Sequence, residues 1–409
     1  MAEFFRMDNP IQNYAWGSRS VLATMQGRPV PSEHPEAELW MGAHSSAPSV
    51  IEVDGHATSL VDVLPDLPFL LKILAIAAPL SIQVHPSTQQ AREGFARDNE
   101  QGMPLESPSR NYKDDRAKPE TVVALTDMWL LAGQRTGAQL RELAHELRLD
   151  WLSRAANEPS ALRAALSLSE ERAAESVRAC VSAAARLRGT RLAHLPRVDE
   201  DAALHPAATP LERAVHVIEL LDHHYPGDPG MLVALCMNLV HLHPGQAVHT
   251  PPQQLHAYIS GTAVEVMGCS DNVLRAGLTT KHMDVPELLS VLAPQQAPIE
   301  ILDPVSSPDG SADYPLWDTS LSMVAFRVHR GHALRRRIPG TSVVLVAQGH
   351  VTARICETGA SDHEARAGHS LLYRGEAGFV EFAGEGLVFV VSGLLNPKGG
   401  TGTSEDVVQ

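Results

Sequence analysis

The sequence is short of cysteine, of positive charge and of long apolar runs, and each shortage excludes something. Its four cysteines, Cys180, Cys236, Cys269 and Cys356, are far apart and form no C-x-x-C pair. That excludes a disulfide framework and a thiolate zinc site, and it fits a reducing cytoplasm. Lys and Arg number 33 against 48 Asp and Glu, a formal charge of -15; such a chain repels nucleic acid and acidic membrane surfaces. The longest apolar run, Phe69 to Ile82, is interrupted by Lys72 and falls short of the roughly 20 residues that cross a bilayer. The opening MAEFFRMDNP reaches acid and proline before an apolar core can form, so no secretory leader is expected. Aromatic residues make up only 5%, yet with 44% hydrophobic residues the chain buries a substantial core in two or three domains.

What is present divides into blocks. Residues 1–136 carry short β-rich runs between turn signals, including Tyr14-Ala15-Trp16-Gly17, AELWMGAH, SVIEVDGH and LSIQVH. Residues 137–235 change to Ala, Leu, Arg and Glu at helical spacing: Leu140, Leu143, Leu147 and Trp151 fall along one face, and Ser169 before two glutamates reads as a capped helix start. The stretch 191–210 reads as a loop inside this helical insertion. Strand patterns return over 236–315, whose end, DPVSSPDGSADYP, reads as a linker. The last block, 316–409, has short strands between glycine turns and no helices, the texture of an antiparallel sandwich or jelly roll, followed by a frayed polar tail at 398–409. Its Arg335, Arg336 and Arg337 read as a solvated strand edge.

Three short units carry chemistry. In Gln83-Val84-His85-Pro86, strand alternation puts an amide oxygen and an imidazole on one face, while Val84 faces the opposite layer. Lys118-Pro119-Glu120 uses proline to fix the backbone beside a glutamate. The run Gly245 to His256 spaces glycine, Pro251 and His256 as in the second motif of cupin jelly rolls, with Gln253 where a glycine is usual; His241, His243 and His249 nearby read as surface or core histidines.

Together these units, with HAYISGTAVEVMGCSDNVLRAGLTTKHMDVPELL, YAWGS, AELWMGAHSSAPS and PFLLKILA, resemble the type I mannose-6-phosphate isomerases from Tyr14 to about Leu289. The resemblance implies a mainly β fold with a helical insertion: two cupin-like jelly-roll domains plus an α-helical domain. It implies one zinc ion per chain, held by Gln83, His85, Glu120 and His256. Two imidazoles, a carboxylate and an amide also suit other divalent metals, since no thiolate enforces a choice.

The implied reaction moves a carbon-bound proton between neighbouring carbons of a sugar phosphate through a cis-enediol, which needs an electrophile and a tuned base. Many family members have histidine before the K-P-E lysine; here it is Ala117. Lys118 therefore stands first as base and Glu265 second, with Asp271 a third candidate. Arg275, in the most specific motif, is expected to grip the phosphate with two parallel hydrogen bonds and Lys281 to add a compact charge. Lys72 is expected to face a polar cavity rather than lie buried and unpaired. Ser81, Tyr258, Trp16 and Glu38 complete the expected substrate contacts, with packing an equal claim on Trp16. The expected protein is a cytoplasmic monomer acting on a small sugar phosphate, with no nucleic acid or membrane partner. The competing readings are a metal-binding cupin oxidoreductase and a non-catalytic sugar-phosphate binder.

Overall fold

A computed structural model describes residues 2–194, 204, 208–307, 310–356 and 361–393. The tail at 398–409 and part of the loop 191–210 lie outside the described residues.

The molecule is mainly β. There are two antiparallel sheets, each of eleven strands among the described residues, and a run of helices between Gly137 and Cys236 is inserted into one of them, between the paired strands Met128–Gln134 and Met237–Leu242. The helices follow their sequence signals closely. Thr136 and Gln139 form a reciprocal cap, as do Thr209 and Glu212 with Pro210 in the first turn, and Ser169 Oγ accepts from Arg172 N. The stripe Leu140, Leu143 and Leu147 is buried as expected. Trp151 belongs to a second helix, Asp150–Ala155, because Arg148 takes the left-handed conformation (φ 55°) and ends the first.

The opening block is not purely β. A helix, Thr88–Glu100, follows the metal-type motif and starts with a Ser87/Gln90 capping box. Its sequence TQQAREGFARDNE has too few apolar residues to show a stripe, so periodicity does not reveal it.

Sheets and sequence blocks do not coincide at the amino end. The strand Glu3–Asp8 pairs with His369–Arg374 on one side and Val50–Val53 on the other, so it lies in the carboxy-terminal sheet although its sequence falls within 1–136. The two sheets meet on a common core, where Leu39, Met41, Ile73 and Val264 pack with Met323, Val343, Leu372 and Phe389.

The other sheet is organised by one long strand, His256–Met267. Its second half pairs with Leu70–Ile76 and Glu120–Ala124; its first half pairs with Met128–Gln134 and with Gln83. A register shift between Tyr258 and Ser260 lets it change partners. Gly261, at φ 119°, passes so close to the 126–128 turn that a Cβ would lie 2.8 Å from the Asp127 carbonyl oxygen. Alternation then sorts the faces: Ile73, Val123, Val264 and Val266 enter the shared core, whereas Lys72, Val122, Ala263 and Glu265 face the opposite way.

Candidate metal centre and substrate cleft

The strand register brings the chemistry together. Glu265 lies directly opposite Lys72, and Lys72 opposite Trp40; Glu120 and Glu38 stand two residues from members of this row, on the same face. His256 pairs with Gln83, and Gln83 with Arg275 on its other side. A narrow cleft results, lined by Glu38, Lys72, Ser81, Gln83, Lys118, Glu120, His256, Tyr258 and Glu265.

At its floor, His85 Nε2 lies 3.3 Å from Glu120 Oε1 and His256 Nε2 lies 3.1 Å from Glu120 Oε2, all three residues being buried. Each imidazole uses its other nitrogen on a backbone carbonyl: His85 Nδ1 on Asn272 at 2.7 Å, His256 Nδ1 on Gln254 at 3.1 Å. That fixes the tautomers and leaves both Nε2 atoms as electron-pair donors toward one point. Gln83 spends its amide nitrogen on Ser81 Oγ at 3.1 Å, leaving its oxygen as the available donor. His85 Nε2 is buried with no hydrogen-bond partner among the described residues, a cost that a bound cation removes.

Electrostatics agree with this arrangement. Burial and the nearby Lys118 ammonium push His85 down to about 4 against the pull of Glu120, so the imidazole is neutral at pH 7. Burial works against ionisation of Glu120, but Lys118, His85 and the two imidazole contacts hold it well below the usual carboxylate range. Burial and the charge of Glu120 raise Glu265, opposed by Lys72 and Lys118.

Lys72 is buried but paired, 3.1 Å from Glu38 and 3.4 Å from Glu265. Burial alone would lower its pKa; the surrounding carboxylates raise it above the ordinary lysine value. Glu38 also accepts from Trp40 Nε1 at 2.6 Å and Glu265 from Tyr258 OH at 2.9 Å, so neither acid is free to turn away. Lys118 Nζ is 2.9 Å from Glu120 Oε1.

Arg275 and Lys281 lie near Tyr14, whose ring Lys281 Nζ overlies at 5.4 Å. Among the described residues neither cation makes an ion pair within 4.0 Å; Asp284 instead caps a helix and Glu287 pairs with Arg97. Burial lowers both, and Arg275 lowers Lys281 further by repulsion. Trp16 stacks on Tyr14 at 5.9 Å and packs against the apolar side of the cleft. Asp271 is not among the cleft-lining residues and sits 3.5 Å from His44.

Sequence reasoning missed Tyr14, His44, Asp114 and Asn272. Asn272 is fully buried; its side chain accepts from the Lys113 and Asp114 amides and donates to the Asp114 and Arg116 carbonyls, while its own carbonyl orients His85. The S-D-N triplet was visible, but its role depends on a loop 158 residues away in the chain that only folding brings near.

A buried cluster of two imidazoles and one carboxylate, beside a cleft lined with acids and cations, defines a metalloenzyme of the catalytic rather than structural kind. Comparison with known proteins narrows the class. Residues 4–136 match the family described as phosphomannose isomerase type I, catalytic domain. The chain is 36% identical over 302 residues to the mannose-6-phosphate isomerase of Escherichia coli (strain K12), covering 70% of this chain and 73% of that protein. Against the Bos taurus mannose-6-phosphate isomerase it is 29% identical over 85% of this chain and 88% of that one. The crystal structure of the Salmonella typhimurium mannose 6-phosphate isomerase bound to substrate and zinc superposes with a TM-score of 0.80 at 28% identity, covering 96% of this chain and all of that one. The chain belongs to the type I phosphomannose isomerase family.

Proposed function

We propose that this chain is a zinc-dependent aldose-ketose isomerase interconverting mannose 6-phosphate and fructose 6-phosphate, and that Gln83, His85, Glu120 and His256 hold the metal. The observation that carries the reading is the convergence of two tautomer-locked imidazoles on the Glu120 carboxylate beside Gln83. A zinc ion held there supplies Lewis acidity toward a sugar carbonyl.

The remaining work belongs to the side chains of the cleft. Lys118, beside Glu120, carries the proton between the two sugar carbons; Glu265, raised by burial and Glu120, is the second candidate, since a carboxyl held high is a better base at neutral pH. Lys72, pinned between Glu38 and Glu265, presents a fixed positive charge to sugar oxygens. Arg275 and Lys281 take the phosphate, Arg275 lying next to the Gln83 strand. Ser81, Tyr258 and Glu38 line the sugar path, Trp16 contacts the sugar from beside it, stacked on Tyr14, and Asp271, against His44, serves as an outer charge.

The architecture we assign is two cupin-like jelly-roll units plus a helical one, with the catalytic unit built from 1–136 and 236–315, the helices at 137–235 and the last roll at 316–409. The helical run supports the middle boundary, whereas the sheets cross the other two: Glu3–Asp8, Val50–Val53 and His56–Ser59 from 1–136, and Val305–Ser306 and Ala312–Tyr314 from the stretch read as a linker, all lie in the carboxy-terminal sheet. Four free cysteines, two of them buried, support a cytoplasmic setting. The exposed large apolar side chains are scattered, Val30, Leu105, Ile301, Val305 and Phe379 among the described residues, which supports a monomer. No helix among the described residues is long and apolar enough to cross a membrane. The charge of -15 supports the absence of a nucleic-acid partner.

The test is metal analysis of the purified protein with a coupled assay before and after chelation. Fructose 6-phosphate should form from mannose 6-phosphate without oxygen uptake, cease on chelation and return with zinc. Oxygen consumption would establish the oxidoreductase reading, and binding without turnover the sugar-phosphate binder.

A further inference from the structure

A second cluster of metal-type side chains lies at the far end of the same strands. Asp127, in the turn after Glu120–Ala124, has Oδ1 2.9 Å from His241 Nε2 and 3.2 Å from His243 Nδ1. The three donor atoms lie within 4.8 Å of one another, and the imidazole rings are 4.5 Å apart and nearly perpendicular. Glu120 and Asp127 bracket the strand, which separates the cluster from the cleft by about 13 Å, at about 3.3 Å per residue over four steps.

Two features distinguish this group from a chance gathering of surface charge. First, His241 Nε2 is buried and makes no well-aligned hydrogen bond among the described residues, although the Asp127 oxygen that hydrogen-bonds His243 Nδ1 at 3.2 Å stands only 2.9 Å away. At that distance only a poor angle prevents the bond, so the nitrogen's axis points beside the oxygen, as it does for two ligands sharing an ion. His85 Nε2 and Glu120 show the same signature at 3.3 Å in the catalytic cleft. Second, the cluster is preorganised. His241 is stacked on Trp129 at 4.4 Å. The His243 amide donates to Gln246 Oε1, and the 125–127 turn is tied to Thr262 by the Leu125 amide and the Thr126 hydroxyl.

We infer that Asp127, His241 and His243 form a second metal site, taking a borderline divalent cation such as Zn2+ and clamping the 125–127 turn to the end of the strand Met237–Leu242. Two imidazoles and one carboxylate select zinc-like ions over calcium or magnesium, which demand mostly oxygen. The side chains of His243 and Asp127 are 64% and 60% exposed, so the ion exchanges with solvent and is held more weakly than the one in the buried cleft.

Equilibrium dialysis of metal-stripped full-length protein against Zn2+, followed by metal analysis, should give about two equivalents, the second raising the melting temperature. Asp127→Asn and His243→Ala, both at exposed positions, should each bind about one equivalent, lose that thermal increment and keep isomerase activity. Cys356→Ser should still bind two. A single equivalent in the parent protein, two retained in both cluster variants, or loss of the second equivalent in Cys356→Ser would overturn the assignment.

Discussion

Ionisation of a few buried side chains decides how the cleft behaves with pH. His85 in the unfolded chain titrates near 6.5 but in the folded, metal-free protein near 4. Between these values the unfolded state binds the additional proton, so stability rises with pH there and is lost on acidification from about 6.5 to about 4. The loss is on the order of 3 kcal/mol at about 1.36 kcal/mol per pH unit. Glu120, held low, acts in the same sense below its ordinary range, its contribution vanishing as pH falls. Urea denaturation of the metal-free protein should show a midpoint that falls from pH 7 to pH 5, and His85→Asn should flatten that slope. Lys118→Ala tests the proton carrier: loss of substrate hydrogen exchange with solvent by about 10²–10⁴-fold, with zinc content unchanged, is expected. Normal exchange in Lys118→Ala together with its loss in Glu265→Gln would transfer the role to Glu265. The Q-V-H, K-P-E and H-A-Y units were legible because each is a local pattern. The Glu38-Lys72-Glu265 row and the Asn272 carbonyl behind His85 were not, because they exist only through strand register and a long-range loop contact.

Helical segments were read well where an apolar stripe accompanied the caps, as in Gly137–Leu147, and missed where it did not, as in Thr88–Glu100. That second helix joins the cleft to its surroundings: Gln90 accepts from Gln253 Nε2, whose backbone sits at φ 70° where a glycine is usual, and the Gln253 amide donates to the His85 carbonyl at 2.7 Å. Several hydrogen bonds thus hold a left-handed glutamine in place, and the turn expected to need glycine keeps its geometry without one. Within the helix, Gly94 lies against the fully buried Tyr112 ring, where a Cβ would come to 2.4 Å. Gly94→Ala sets two effects against each other. Helix propensity favours alanine by about 1 kcal/mol, whereas overpacking against a ring that cannot retreat costs about 1–3 kcal/mol. Packing should win, because Tyr112 is also fixed by its amide on Asp98 and its hydroxyl on Glu287. Net destabilisation of about 1 kcal/mol is expected in chemical denaturation; a variant more stable than the parent would show that the ring yields.

At the scale of the whole molecule, the assigned units are not independent. The strand Glu3–Asp8 is the central link, bridging His369–Arg374 to Val50–Val53, so the carboxy-terminal sheet borrows a strand from the far end of the chain. The shared core then packs side chains of both sheets against one another, and separating them would expose Leu39, Met41 and Ile73 on one face and Val343, Leu372 and Phe389 on the other. Each such side chain contributes about 1.5–3 kcal/mol when fully buried, so parting the sheets costs far more than a domain interface that opens freely. Metal-loaded protein should therefore unfold calorimetrically in one transition rather than two. A fragment consisting of residues 316–409 alone should fail to fold, since it lacks its borrowed strand, the strands Val305–Ser306 and Ala312–Tyr314 that pair onto Leu321–Val328, and the opposite half of its core. Restoring residues 1–60 in trans should recover structure measurable by circular dichroism if the strand is the decisive element. A fragment that folds by itself would mean that the carboxy-terminal sheet tolerates the empty place beside His369–Arg374, and that the coupling between the two sheets is weaker than their common core implies.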